Sequence, residues 1–325
     1  MIVERTPNCY NGSKGDKKMI KEEFTYRSAD GETDIHAIRW IPEGKIRLIL
    51  QIAHGMAEYI DRYDGFASFL ADKGVLVTGN DHLGHGKSIQ DEEDLGFFAF
   101  KDGNKKVLSD MDELMNITKA KYPGKPYFLM GHSMGSFLCR QFIAEKGDKL
   151  NGAIIMGTGL QSGFLTAFAR SLCMIIASFK GWHHRSAFIN NLAFGSYNNG
   201  FGEKGGTDWL SVNRENVEKY NADPLCGYMF TVNGYYCMFD SINKLADRKY
   251  IAGMPKKLPV LITSGGKDPV GDGGSSPAVL TGIYEKMGME DVTLKLYPDD
   301  RHEILNEDDR ETVYNDIYTW LKSKV

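Results

Sequence analysis

The sequence lacks the cysteine patterns that mark disulfide-rich and zinc-binding proteins. Its 325 residues contain five cysteines, an odd and scattered set without a CxxC pair: Cys9, Cys139, Cys173, Cys226 and Cys237. Such a set predicts neither a disulfide framework nor a zinc site. It is typical of a protein whose thiols stay reduced, so we expect a cytoplasmic location.

An excess of basic residues is also missing. The formal net charge is -4 at pH 7 and the sequence pI is about 6.1. Because no basic surface is indicated, we do not expect nucleic acid as a partner. With 42% hydrophobic and 25% charged residues, the chain has the composition of a soluble globular protein. Its length suits one large domain with an insertion, or two domains.

Long hydrophobic runs are absent as well. The first twenty residues lack the apolar stretch of about 7–15 residues found in a secretory signal, and we expect them to form a flexible arm. The most apolar later stretch, residues 164–179, is interrupted by Arg170. It is shorter than the roughly 20 residues of a spanning helix. We therefore expect no integral membrane span.

What the sequence does contain is an alternation of strand and helix patterns. Residues 22–40 read as an antiparallel hairpin with a turn at 29–31. Apolar runs then predict buried strands at 46–53, 75–78 and 152–156. Further strands are predicted at 127–130, 260–263 and 292–297. Helical spacing falls at 63–70, 107–115, 280–287 and 313–321. This alternation predicts an α/β fold with a mostly parallel, doubly wound sheet.

The alternation stops between residues 159 and 240. This region has a helical stripe, a loop rich in glycine and asparagine at 195–206, and many aromatic residues. We interpret it as an inserted helical cap. The predicted organisation is thus an arm at 1–20, a core built from 21–158 and 241–325, and a cap at 159–240.

The most informative motif is Gly131-His132-Ser133-Met134-Gly135, which follows a strand pattern and precedes a helical one. This arrangement is typical of a nucleophile elbow. A serine on so sharp a turn is strained by about 1–3 kcal/mol and leaves no room for side chains two positions away, which explains both glycines. A chance match is common in a chain with 36 glycines, so the flanking strand and helix carry the interpretation.

A serine hydroxyl is a weak nucleophile and needs a histidine base that is oriented by an acid. In this architecture the partners follow in the order Ser, Asp, His, on loops after late strands. Asp268 follows the predicted strand at 260–263, and His302 follows the strand that ends at 297. We predict that these two residues act with Ser133.

Several rivals for the base and the acid lie in less suitable places. His132 adjoins the nucleophile on the same tight turn, whereas the other histidines considered precede or interrupt the sheet order: His36, His183 and His184. Asp299 and Asp300 are too close in sequence to His302 to lie on a neighbouring strand end, and Asp272 lies further along the Asp268 loop.

A tetrahedral oxyanion needs preorganised hydrogen-bond donors. One expected donor is the amide of Met134 at the start of the elbow helix. The other is the amide of Met56, in the loop after the strand at 46–53, where Gly55 lets the backbone approach closely. The pair His54-Gly55 fits an ordinary turn equally well.

Two histidines three residues apart, His82 and His85, suggest a metal site. No third ligand lies nearby, and the pair sits among glycines rather than along one face of a helix. We therefore predict no metal site.

Together these motifs resemble the α/β-hydrolase family and, within it, the monoacylglycerol lipase and lysophospholipase branch, often described as serine aminopeptidase-like. The motifs are His54-Gly55-Met56-Ala57-Glu58, Asp81-x-x-Gly84-His85-Gly86-x-Ser88, Gly131-His132-Ser133-Met134-Gly135, Gly266-x-Asp268 and His302. The resemblance covers residues 22–325. It implies a Ser133-Asp268-His302 triad, an oxyanion hole from Met56 and Met134, no cofactor, and a cap that defines the acyl pocket.

We expect a serine carboxylesterase or lipase-like hydrolase that forms an acyl-enzyme. The apolar cap favours a monoacylglycerol, a lysophospholipid or a medium-chain ester, and it would allow transient contact with a membrane surface. We place His54 near the substrate and expect four cap residues to wall the acyl pocket: Leu165, Phe168, Leu172 and Ile176. Packing of that stripe on the core is the competing interpretation. The sequence does not indicate an oligomeric state.

Two other functions remain open. An aminopeptidase would need cap carboxylates for a substrate ammonium, and the candidates lie in a polar stretch typical of a solvated surface: Glu203, Asp208, Glu215 and Glu218. A non-catalytic ligand-binding protein on this fold is the second alternative. The complete set of serine, aspartate and histidine argues against it.

Overall fold

The protein, described here by a computed structural model, is an α/β molecule organised on one sheet. The structure describes residues 3–4, 8–9, 19–202 and 206–325. Its strands are β1 (Val3–Glu4), β2 (Asn8–Cys9), β3 (Ile20–Arg27), β4 (Asp34–Ile41), β5 (Leu48–Ala53), β6 (Val75–Asn80), β7 (Tyr127–His132), β8 (Gly152–Met156), β9 (Val260–Gly265) and β10 (Val292–Tyr297).

The helices are α1 (Asp64–Asp72), α2 (Gly103–Lys121), α3 (Met134–Lys146), α4 (Gly163–Lys180), α5 (Ala187–Phe194), α6 (Arg214–Ala222), α7 (Val232–Leu245), α8 (Arg248–Ile251), α9 (Ser275–Lys286) and α10 (Arg310–Ser323). Strand order is β1-β3-β4-β6-β5-β7-β8-β9-β10, and β2 also pairs with β3. The pairs from β6 through β5 to β10 are parallel. The predicted fold class is confirmed.

The two faces of the sheet carry separate hydrophobic clusters. Leu129 of β7 packs with residues of α2 and α3, whereas its neighbours Phe128 and Met130 pack with residues of α1 and α10. Successive side chains of a strand point to opposite faces. Helices therefore cover both faces of the sheet, and the central strands are buried throughout.

The sheet creates a switch point between β5 and β7. From β5 the chain crosses through α1 to β6 on one side, whereas β7 pairs with β5 on the other side. Ligands of open parallel sheets bind at the carboxyl ends of strands at such a point. His54 follows β5 there, and Ser133 follows β7.

The edge of the sheet contains the predicted hairpin, β3 and β4, which pair antiparallel along their whole length. Of the predicted N-terminal arm, the structure describes Val3–Glu4 and Asn8–Cys9, both paired antiparallel with β3, and residues 19–20. The rest of the arm lies outside the described residues.

Between β8 and β9 the described residues form helices and loops without a strand. The predicted cap ends at residue 240, whereas α7 continues to Leu245. This helix packs against both α4 and α3. It therefore joins the inserted residues to the layer that covers the sheet, and the division into core and cap stays a prediction.

The buried face of α4 differs from the predicted stripe by about one residue. The fully buried positions are Thr166, Ala169, Cys173 and Ala177. Phe168, in the predicted stripe, is 52% exposed. Small side chains let α4 approach α7 closely, and bulky side chains such as Phe164 and Phe179 are turned outward. Leu172 and Ile176 of the predicted stripe are partly buried against the core. Among the described residues, α4 is also the one helix long and apolar enough to cross a membrane by length and composition alone, with 22% of it buried.

Candidate active site

Ser133 occupies the tight turn between β7 and α3. Its φ of 53° and ψ of -120° are strained for a residue with a side chain. A Cβ on Gly131 would lie 2.1 Å from the carbonyl oxygen of Gly135, and one on Gly135 would lie 2.0 Å from the carbonyl oxygen of Ala53. Side chains at these two positions would therefore collide with the backbone, which is the steric reason given above for both glycines. Ser133 itself is half-buried at the surface of a cavity.

His302 and Asp268 form a buried pair. Nδ1 of His302 lies 2.9 Å from Oδ2 of Asp268, and the residues are 2% and 0% exposed. Oδ2 of Asp268 also accepts a hydrogen bond from Ser264 Oγ, and Oδ1 accepts one from the amide of Val270. The carboxylate is therefore held at both oxygens.

The electrostatics of the pair suit an orienting acid. Burial alone would raise the pKa of Asp268, but the neighbouring His302 and the hydrogen bonds hold that pKa below its ordinary value. Since Nδ1 donates to this carboxylate, Nε2 is left as the basic nitrogen. Nε2 makes no hydrogen bond to a described residue. His302 and Ser133 line the same cavity.

The rival residues have other partners. Nε2 of His132 donates to the carbonyl oxygen of His302 at 3.2 Å, and Nδ1 lies 3.3 Å from Oε1 of Glu58. Burial lowers the pKa of His132, but Glu58 outweighs that effect and the pKa is raised. Asp299 pairs with Lys267 at 2.9 Å on the surface. Nδ1 of His302 is bonded to Asp268, not to a carboxylate from its own loop.

The loop after β5, which carries the predicted oxyanion donor Met56, approaches Ser133 closely. A Cβ on Gly55 would lie 3.1 Å from Cβ of Ser133. The amide of Gly55 donates to Oε1 of Glu58 at 2.6 Å, which fixes the loop. Met56 and Met134 both line the cavity. The structure thus brings these two predicted residues to the cavity that Ser133 lines.

The cavity has a volume of about 530 Å³. Of the four predicted wall residues, Leu165 lines it and the other three, Phe168, Leu172 and Ile176, do not. The reason is the rotation of α4 described above. The rest of the apolar lining comes from residues around Ser133, from the buried face of α4 and from α7: Phe137, Val270, Ala169, Met238, Phe239 and Ile242.

His54 also lies away from this cavity. It is fully buried, with Nδ1 2.8 Å from the carbonyl oxygen of Gly55 and Nε2 accepting from the amide of His82 at 3.0 Å. Its ring packs 4.1 Å from that of His82 and 5.1 Å from that of His85. Burial lowers the pKa of all three, so they form a neutral packed cluster behind the site. No group of three or more possible metal ligands occurs among the described residues.

Sequence reasoning missed a buried ionic network that lies beside His302 and His132. Arg62 donates to both carboxylate oxygens of Glu303 at 2.8 Å and to Glu58 at 2.7 Å. Burial alone would raise the pKa of Glu58, but His132 and Arg62 outweigh burial and lower it. The network also borders a second, polar cavity of about 730 Å³. Their sequence positions could have indicated two of these residues, because Glu58 lies in the loop after β5 and Glu303 follows His302 directly.

Comparison with known proteins identifies the family of the chain. A family model described as serine aminopeptidase, S33 (Hydrolase_4), matches residues 44–309. The chain is 26% identical to the monoglyceride lipase of Rattus norvegicus, over 92% of this chain and 89% of that protein. It is 24% identical to the monoacylglycerol lipase of Mycolicibacterium smegmatis, over 93% and 98%.

Among solved structures, the fold is similar to that of a thermostable carboxyl esterase from Bacillus coagulans in complex with glycerol. The TM-score is 0.87 and the identity 25%, over 94% of this chain and 99% of that chain.

Proposed function

We propose that this chain, a member of the S33 serine aminopeptidase family of α/β-hydrolases, cleaves monoacylglycerol-like or lysophospholipid-like esters by way of an acyl-enzyme on Ser133. It is a hydrolase of the lipase and esterase type. The observation that carries this proposal is that His302, which is bonded to the buried Asp268, lines the same cavity as the elbow serine.

The chemistry follows from the roles of these groups. Nε2 of His302 accepts the proton of Ser133 Oγ as that oxygen attacks the ester carbonyl, and Asp268 stabilises the imidazolium. The amides of Met56 and Met134 donate to the oxyanion, a contribution commonly worth about 100- to 1000-fold in rate for each donor. His302 then protonates the leaving alcohol. Water, deprotonated by the same histidine, releases the acid from Ser133.

The apolar part of the cavity suits an acyl chain. Leu165, Ala169 and Phe239 lie on the inserted helices, and Phe137 lies on α3 behind the nucleophile. Each substrate methylene buried there contributes up to about 0.8 kcal/mol. The preference for a chain therefore comes from a wall that shares only Leu165 with the predicted stripe.

The polar end of the cavity suits the alcohol group. Glu58, His132 and Glu303 line this end, and Arg62 neutralises both carboxylates from behind. A cluster of hydrogen-bonding groups with little net charge fits the hydroxyls of a small polyol better than a free ammonium.

The aminopeptidase alternative has less support. Of its proposed carboxylates, Asp208 pairs with Arg214, and Glu215 pairs with Lys219 at 2.7 Å on the surface. Glu218 is exposed, and Glu203 lies outside the described residues. None of the described three lines the cavity that holds Ser133.

Chain-length profiles test the proposal. For p-nitrophenyl esters below their micelle-forming concentrations, kcat/KM should rise several-fold from acetate to a medium chain, and aminoacyl-nitroanilides should be poor substrates. Leu165→Asp should flatten the rise, because Leu165 lines the cavity. Phe168→Asp is the matched control, since Phe168 is equally exposed on the same helix but lies outside the lining. Preferred cleavage of the anilides would favour the aminopeptidase.

The exposed face of α4 supports a further part of the proposal, namely transient contact with a lipid surface. Phe164 and Phe179 are 84% and 86% exposed, and Phe188 on α5 is 63% exposed. Phe179→Asp should weaken sedimentation with phospholipid vesicles without lowering the hydrolysis of p-nitrophenyl acetate. Val279→Asp is the control, because Val279 is an exposed apolar residue on α9.

We place the protein in the cytoplasm. Four of the five cysteines are free and buried, namely Cys139, Cys173, Cys226 and Cys237. Burial raises the pKa of each thiol, which keeps these cysteines protonated and slow to oxidise. Two measurements test this assignment: fluorescence microscopy of the tagged protein in cells, and cell fractionation. Recovery of the protein outside the cell would contradict it.

A further inference from the structure

The loop that carries His302 is fastened to a segment of the insertion between β8 and β9. We call this segment, residues 208–213, the clamp. The amide of Glu303 donates to the carbonyl oxygen of Leu210 at 2.7 Å. The guanidinium of Arg301 donates to the carbonyl oxygens of Asp208 and Ser211. Both neighbours of His302 in sequence are therefore bonded to the clamp.

One buried carboxylate strengthens this connection. Glu307 is fully buried, and its Oε1 accepts from the amide of Arg301 at 2.8 Å. Its Oε2 accepts from Ser211 Oγ at 2.6 Å and from the amides of Val212 and Asn213 at 2.8 and 3.3 Å. The side chain thus joins the histidine loop and the clamp through four hydrogen bonds, and burial with so many donors makes the joint rigid.

The clamp also contacts the imidazole itself. The ring of Trp209 lies 5.0 Å from that of His302, at an interplanar angle of 43°. Tyr197 packs edge-on behind the indole at 5.1 Å, and Asn198 Oδ1 accepts from the Trp209 amide at 2.9 Å. The indole is therefore held from behind while it faces the imidazole. On another side of that imidazole lies the ring of His132, at 4.7 Å.

We propose that the clamp positions the catalytic base and that Trp209 is a positioning residue, which acts through His302 rather than on the substrate. The inference rests on the role of His302 proposed above. The bond from Nδ1 to Asp268 leaves the imidazole free to tilt about that bond, and the indole limits the tilt. A displacement of about 1 Å in a reacting group costs on the order of 100-fold in rate.

This role differs in its consequences from that of a pocket wall, although Trp209 also borders the cavity. A wall residue changes KM, and the change grows with the length of the acyl chain. A positioning residue lowers kcat by the same factor for every ester and lowers the rate at which a small fluorophosphonate labels Ser133.

The test compares Trp209→Ala and Trp209→Phe with the wild type on p-nitrophenyl acetate and a medium-chain ester. Trp209→Ala should lower kcat roughly 10- to 100-fold on both, with little change in KM, and slow the labelling of Ser133 similarly. Trp209→Phe should recover most of kcat, because it restores an aromatic face. Trp182→Ala is the matched control: Trp182 is half-buried in the same insertion but packs on Tyr236.

A second variant keeps the test decisive if Trp209→Ala does not fold. Ser211→Ala removes the hydroxyl that bonds Glu307 and also accepts from the Asn213 amide, and it should lower kcat several-fold on both esters. The inference would be overturned if kcat were unchanged in the folded variants, or if the only change were a higher KM for the longer ester. Either result would leave the proposed function intact. Absence of labelling at Ser133 in the wild type would instead overturn the proposed function.

Discussion

Asp268→Asn is the substitution that probes the proposed triad most selectively. The carboxylate is buried, and Oδ2 accepts from both His302 and Ser264. Asparagine has nearly the same shape, and its amide oxygen can still accept from the amide of Val270 at the Oδ1 position. Its NH₂ group then faces Nδ1 of His302, and two donors cannot bond to each other.

The expected loss follows from the tautomer of His302. To accept from the asparagine NH₂, the imidazole must carry its proton on Nε2, where it can no longer take the proton of Ser133. Such a change lowers kcat roughly 10⁴-fold, which corresponds to about 5.4 kcal/mol at about 1.36 kcal/mol for each factor of ten. KM should change little, because the carboxylate is not exposed to the cavity.

The assay is hydrolysis of p-nitrophenyl acetate across pH, with thermal unfolding measured on the same samples. Asp300→Asn is the control, since Asp300 is 4% exposed on the histidine loop but does not bond to the imidazole; it should stay within about tenfold of the wild type. Equal losses in the two variants, or a small loss in Asp268→Asn with an unchanged melting temperature, would refute the assignment.

Two further predictions concern stability. Burial and the neighbouring carboxylates raise the pKa of Asp300 to about 7, so the folded state keeps a proton that the unfolded chain loses near pH 4. The contribution of Asp300 to stability should therefore fall as pH rises from about 4 to 7, and Asp300→Asn should raise stability by about 1–3 kcal/mol at pH 8 and not at pH 4, as measured by urea unfolding. Gly135→Ala should cost more than about 3 kcal/mol or prevent folding, because its Cβ meets a backbone carbonyl of β5. Gly282→Ala, on α9 with open space around it, should stabilise the same melting curve by about 0.5–1 kcal/mol; equal effects of the two alanines would contradict the steric argument.

The sheet and the places of the three triad residues could be predicted because both depend on short-range patterns. Strands buried on both faces read as continuous apolar runs, and the predicted run at 152–156 coincides with the buried strand β8. The strand predicted at 292–297 coincides with β10, which lies at the end of the sheet and is only partly buried. Parallel topology then places the residues after β7, β9 and β10 at one edge of the sheet. The positions of Ser133, Asp268 and His302 follow from this, while their roles remain proposals.

The surroundings of the triad could not be predicted, because they depend on long-range packing. Arg62 and Glu303 are 241 residues apart in sequence, and no local spacing joins them. Trp209 lies in a polar stretch that carries no periodic signal. On α4, hydrophobicity alone favoured the bulky stripe, whereas close packing with α7 selects small residues such as Ala169 and Cys173.

Covalent labelling of the wild-type protein with a fluorophosphonate, followed by mass spectrometry of the digested chain, tests the central claim most directly. The account predicts one labelled peptide with the modification on Ser133, and labelling that disappears together with ester hydrolysis in Ser133→Ala, with a loss on the order of 10⁶-fold in kcat. A label on another residue, or a folded Ser133→Ala protein that still hydrolyses p-nitrophenyl acetate at the wild-type rate, would contradict it.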